Sequence, residues 1–180
     1  FLCNGLSNNG LNKKMLETTP HYRFLDMAIV FICHVESDST GFASILIHNN
    51  HLKIWNVEVE ELYSVASENT PSLLEASITS MSCVLKDLLG EESMEMSMAM
   101  DAGPMYVLTN KYKMYGSTCM AYENLIMDFA NAINSDLYIL PSSVHECLLI
   151  PVLYNDDKEA TYQMFTDMVK EVNDSQLQKE

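Results

Sequence analysis

Ser142, Ser143, His145 and Glu146 put two hydroxyls, an imidazole and a carboxylate into one short stretch, between the apolar Leu140-Pro141 and Cys147-Leu148-Leu149. These are the groups of nucleophile activation, in which imidazole takes the hydroxyl proton and a carboxylate holds the ring. In an extended strand Ser143 and His145 share a face while Glu146 points to the other, so Glu146 cannot orient its neighbour without a bulge. A Ser143/His145 dyad, and with it a hydrolase, is the sharper reading of this segment. The plainer one makes Ser142 and Ser143 turn residues whose hydroxyls satisfy nearby backbone, with His145 a satisfied histidine, and turn chemistry of this kind is far commoner than catalysis.

His48 and His51 form a second polar knot around Asn49-Asn50. Two histidines three apart can share a helical face and ligate a metal if a third ligand, such as His145, arrives from elsewhere. Nothing in the spacing brings it there, and capping of a following helix is the better reading. Cys3, Cys33, Cys83, Cys119 and Cys147 are widely spaced, without a CxxC pair, and most lie in apolar runs. They read as small buried hydrophobes in a reducing compartment, and no metal site or cofactor is expected. There is no phosphate loop, dinucleotide fingerprint, HExxH or GxSxG, and six glycines leave little material for a phosphate cradle.

The 180 residues carry a net charge of -15, with 48 % apolar and 19 % charged residues, a globular balance that needs no disulfide to fold. Residues 1–56 hold four basic and four acidic groups, so the whole acidic excess belongs to residues 57–180. Binding to nucleic acid or to an anionic membrane requires a Lys/Arg cluster, and the only adjacent basic pair is Lys13-Lys14. The acidic half reads as a solvated surface or as a docking face for a protein partner with a basic face. No apolar run approaches the ~20 residues of a membrane span, and no signal peptide is visible, so a cytoplasmic location is expected. The chain opens without Met and closes on Gln178-Lys179-Glu180, as a piece of a longer protein would.

The elements that would position these residues follow from periodicity. Residues 1–20 read as a flexible lead-in and residues 176–180 as a polar tail, leaving one domain over residues 21–175. Met27 to Val35 and Ala43 to His48 read as a hairpin across the Ser37 to Gly41 turn. Asn56 is expected to cap a helix bearing Val59, Leu62, Tyr63 and Ala66 and ended by Pro71. Leu74, Ile78, Met81, Leu85 and Leu88 predict a second helix up to Gly90. Met94, Met96, Met98 and Met100 alternate with Glu95, Ser97 and Ala99, as an edge strand, an exposed loop or an adaptable binding surface would.

Met105 to Leu108 and Ser117 to Ala121 read as strands, followed by a helix through Leu125, Ile126, Phe129 and Ile133. Leu137 to Leu140 and Val144 to Val152 read as a further strand pair around the Pro141-Ser142-Ser143 turn, and Asn155 can cap a last helix. Strands in pairs with helices between them favour an α+β fold, an antiparallel or mixed sheet with helices packed mainly on one face.

Met105-Tyr106-Val107-Leu108-Thr109-Asn110, Tyr138 to Glu146 and Asn69-Thr70-Pro71 together resemble a family of uncharacterised proteins of anaerobic gut bacteria. That family is a domain of unknown function, with a strand ending Leu-Thr-Asn and a later Leu-Pro-Ser-Ser-x-His-Glu. The resemblance covers most of residues 20–175. It implies a bacterial, intracellular source and no assigned activity, and it adds interest in Asn110 and Ser142 as binding candidates beside Ser143, His145 and Glu146. On the residues alone, a non-enzymatic binding domain is the first expectation and the Ser143/His145 hydrolase the alternative.

Overall fold

The computed structural model describes residues 2–8, 10, 12–37, 41–89, 104–152 and 158–177. Its first sheet contains β1 (Leu2–Asn8), β2 (His21–Phe24), β3 (Met27–Ser37) and β4 (Gly41–Leu46), all antiparallel to the central β3. The second sheet runs β5 (Ala76–Ser80), β6 (Tyr106–Asn110), β8 (Cys147–Pro151) and β7 (Leu137–Pro141) in that spatial order, again antiparallel throughout. The helices are α1 (Lys13–Leu16), α2 (Asn49–Trp55), α3 (Val59–Leu73), α4 (Met81–Leu89), α5 (Leu125–Ile133) and α6 (Lys158–Leu177), with a 3-10 helix over Gly116–Ala121. The class is α+β, with the strands divided between two sheets.

The unbroken apolar run of β3 is explained by what lies on its two faces. Ile29 and Phe31 are fully buried against Leu62 and Ala66 of α3, while Ala28 and Val30 pack on Leu16 of α1. A strand covered on both sides cannot alternate apolar with polar. In the second sheet, Leu108, Cys147 and Leu149 pack on Leu125, Ile126 and Phe129 of α5. Tyr138, of opposite parity to Leu137 and Ile139, meets Phe165 of α6 edge-on at 5.1 Å.

Four local expectations are corrected. Residues 2–8 are not a lead-in: β1 pairs with β3 from Leu2↔Cys33 to Asn8↔Met27, and Cys3 is fully buried. Asn, Gly and Ser are poor strand formers, but an open edge of β3 and a covering helix outweigh propensity. Asn56 adopts a left-handed conformation (φ 54°) and ends α2, and Glu58 stands at the N-cap position of α3, which runs two residues past Pro71. The helix expected from Leu74 begins only at Met81, because Ala76 to Ser80 pair with β6. Ser117 to Ala121 form 3-10 helix instead of strand. Gly90, the methionines from Met94 to Met100 and Asn155 lie outside the described residues.

One bond ties the first sheet to α3. The Asn4 backbone N–H donates to Thr70 Oγ1 (2.9 Å), and the Thr70 hydroxyl donates in turn to the Ala66 carbonyl one helical turn back. Thr70 and Asn4 are both buried, so Thr70→Val leaves the Asn4 N–H unsatisfied and costs about 1–3 kcal/mol. Urea unfolding of the variant should show a lowered midpoint with an unchanged m-value; an unchanged midpoint would remove this bond from the stability of the fold.

Candidate functional site

The two motif segments singled out in the sequence meet in space. His145 lies in the loop between β7 and β8, and its carbonyl accepts the Thr109 hydroxyl at the end of β6 (2.7 Å). Its ring Nδ1 accepts the Tyr115 backbone N–H at 3.2 Å, which leaves the proton of a neutral ring on Nε2. The Val144 carbonyl accepts the Ser117 hydroxyl at 2.8 Å. Asn110, buried at the end of β6, organises the intervening turn: its Oδ1 accepts the N–H groups of Tyr112 (3.0 Å) and Met114 (3.3 Å), and its Nδ2 donates to the Met114 carbonyl (2.6 Å). Gly116 completes the knot, since a Cβ there would collide with Thr109 Oγ1 and the His145 carbonyl.

This geometry decides what the serines do. Ser143 to His145 form bends, not strand, so the shared face required by the dyad is not built. Ser143 Oγ accepts the backbone N–H of His145 itself (3.0 Å), a local Ser turn, and no hydrogen bond joins it to the imidazole. The backbone N–H groups of Ser142 and Ser143 both donate to the Glu146 carbonyl at 3.2 Å, so Glu146 closes the turn through its main chain. His48 and His51 likewise serve a helix start: His51 Nδ1 accepts the His48 N–H at 3.0 Å, half of a capping box at the head of α2.

The buried thiols are similarly structural. Cys119 donates to the Thr109 carbonyl, and desolvation by burial pushes its pKa up to about 11; burial likewise pushes Cys147 up to about 12. Burial also raises Cys3. Such thiols stay protonated and are poor nucleophiles and ligands. Among the described residues no group of three or more His, Cys, Asp or Glu could hold a metal ion, and no helix is long and apolar enough to cross a membrane.

A larger cleft opens elsewhere among the described residues. A cleft of about 800 Å³ runs between α3, the start of β1 and the segment from Ala121 to Asp128. Glu75, Glu123 and Asp128 line it together with Asn4, Tyr63, Ser67, Thr70 and Tyr122, and among the described residues no Lys, Arg or His lines it. Tyr122 fixes one wall: its hydroxyl donates to the Leu74 carbonyl (2.8 Å) and reaches the Thr70 carbonyl (3.5 Å), while burial raises its pKa far above the usual tyrosine value. Tyr63 is held by stacking on Tyr22, with ring centroids 4.2 Å apart and planes 13° from parallel. None of the three acidic side chains makes an ion pair or side-chain hydrogen bond among the described residues.

A family model of unknown function (DUF5688) matches residues 2–180. The chain belongs to DUF5688. The match takes in β1 as well as the later motif segments, so the DUF5688 unit includes the seven residues of that strand. No curated protein and no solved structure matches the chain. Of the residues that line the cleft, Tyr63 and Leu125 are legible only as helix-face residues, Thr70 only as part of the family motif, and Pro71 as part of that motif and as an expected helix end. Asn4 was hidden in an apparent lead-in, and Glu75, Glu123 and Asp128 registered only in the acidic excess beyond residue 56.

Three outcomes follow. A fluorophosphonate probe should label the wild type no more than Ser143→Ala; labelling that depends on Ser143 would restore the dyad. A thiol reagent should modify the exposed Cys83 in the native protein and reach Cys3, Cys119 and Cys147 only on unfolding. Because the folded pKa values of Cys119 and Cys147 lie above the ordinary thiol value of 9.0, the unfolded chain loses those protons first. Their contribution to stability is intact below pH 9 and is lost as pH rises from there through about 11 to 12, so the denaturant midpoint should fall across that window. Cys119→Ala/Cys147→Ala should flatten the fall, and an equally steep fall in that variant would assign it to other groups.

Proposed function

We propose that this chain is a non-enzymatic binding domain whose acidic cleft docks a cationic partner. The observation that carries the reading is the set Glu75, Glu123 and Asp128, three acidic side chains that, among the described residues, have no ion-pair partner and share a cleft with no basic lining residue. A concave, low-dielectric wall lined by one sign of charge focuses its field outward, raising the local concentration of oppositely charged ligand. The size of the cleft lies within the range of about 300–1,000 Å³ that holds small ligands or a short peptide segment. The net charge of -15, whose excess lies wholly beyond residue 56, has the sign that favours a basic partner face. The polar knot around His145 supports this reading by occupying the hydroxyl, imidazole and amide groups in local hydrogen bonds.

The test is titration of a short Lys/Arg peptide into the protein at low and at physiological salt, repeated with Glu75→Gln/Glu123→Gln/Asp128→Asn. Binding should weaken as salt rises and fall at least tenfold in the variant, with an unchanged circular dichroism spectrum. Binding that survives the triple substitution, or no binding even at low salt, would overturn the reading.

A further inference from the structure

We infer that His34, Tyr115 and His145 form an acid-sensitive latch, which clasps the turn after β6 to the β7–β8 loop and to β3 of the first sheet while both imidazoles are neutral. None of the three lines the acidic cleft. The Tyr115 ring meets both imidazoles, with centroids 6.0 Å apart in each case and planes tilted by 52° to His34 and 50° to His145. The bond from the Tyr115 N–H to His145 Nδ1 (3.2 Å) exists only while that nitrogen keeps its lone pair. A second proton on the ring turns the acceptor into a donor, and two N–H groups then oppose each other. The turn stores the strain that such a loss releases. Lys113 and Tyr115 both lie in the left-handed region (φ 54° and 52°), which residues bearing a Cβ avoid and which persists only where the surroundings hold it. Asn110 holds Tyr112 and Met114, and His145 holds Tyr115.

His34 supplies the clasp on the first sheet. It is buried, its Nδ1 lies 3.0 Å from Ser44 Oγ of β4, and Glu36 follows two residues along its own strand. Burial holds its imidazole below the ordinary value of 6.5, and the positive amino terminus of the chain acts in the same direction. A depressed folded value means that the contribution of His34 is whole above pH 6.5 and is lost as pH falls from there through the folded value. Around His145, the 110–116 turn brings Tyr115, while Lys111 of that turn sets its Nζ over the Tyr112 ring at 5.3 Å. β6 brings the Thr109 hydroxyl to the His145 carbonyl. Glu146, next in the chain, receives the Ser142 and Ser143 N–H groups on its carbonyl, and among the described residues no ion pair joins its carboxylate to the imidazole. Acid therefore acts on both clasps in the same sense.

NMR of the intact chain from about pH 8 to about pH 5, a range that spans imidazole protonation, tests the latch. Protection of the Tyr115 amide against hydrogen exchange, corrected for the intrinsic rate, should fall about tenfold across that range. The fall should share its midpoint with the ring nitrogens of His145, while the hydrogen-bonded amides of β3 and β6 keep their protection. His145→Asn offers an amide oxygen near the place of Nδ1 and takes up no proton, so Tyr115 protection in that variant should no longer depend on pH. His34→Asn should leave a smaller fall, and an unchanged one would overturn the clasp on the first sheet. An undiminished fall in His145→Asn, or a Tyr115 amide indifferent to titration of the His145 ring, would overturn the latch. So would protection lost together throughout β3 and β6, which assigns the acid response to global unfolding. If His145→Asn does not fold, the wild type decides alone, and separate midpoints for the Tyr115 amide and the His145 ring overturn the latch.

Discussion

The hydrogen bond from the Asn4 N–H to Thr70 Oγ1 is the contact on which the remaining architecture depends. Among the described residues β1 pairs only with β3, so its outer edge offers backbone groups that need partners. Thr70 closes that edge at Asn4 and seats α3 against it. The carbonyls at the end of the same helix, Thr70 and Leu74, then receive the Tyr122 hydroxyl from the segment that follows the 3-10 helix. Backbone of the first sheet, one helix and the lead into α5 are thereby joined through two side chains, Thr70 fully buried and Tyr122 half-buried. Such a linkage is sensitive: in a low-dielectric interior, the loss of either hydroxyl strands the group it served.

The cleft is a by-product of this joint. Asn4, Thr70 and Tyr122 form part of its lining, so the groups that hold the two halves together also set the width between them. Glu75, Glu123 and Asp128 sit on the rim of that joint and are exposed.

The loop knot around His145 works in the opposite sense. Thr109, Asn110, Tyr115, Ser117 and Ser143 each find a partner within a few residues of the His145 loop or of the Asn110 turn, and Gly116 lets the two backbones approach. Polar residues packed between apolar strands look like chemistry when read along the chain. Folded, they are the means by which two turns hold each other while the strands behind them stay dry.

The amino-acid sequence by itself determined the α+β class, the β3–β4 hairpin, from two apolar runs either side of a turn, and the face of α3 that carries Leu62 and Ala66 and the helix through Leu125 and Phe129, each from a local period that burial on one face enforces. It also determined that the acidic excess lies beyond residue 56. Only the tertiary structure decided that Leu2 to Asn8 are a strand, since an Asn/Gly/Ser segment becomes one through the edge it completes and not through its own propensity. Only the tertiary structure turned Ala76 to Ser80 into a strand, by pairing with β6, and Gly116 to Ala121 into 3-10 helix, by packing against Thr109 and His145. The cleft belongs wholly to that second category: Asn4, Glu75 and Asp128 are far apart in the chain, and no spacing rule connects residues whose proximity is set by one hydrogen bond across the fold.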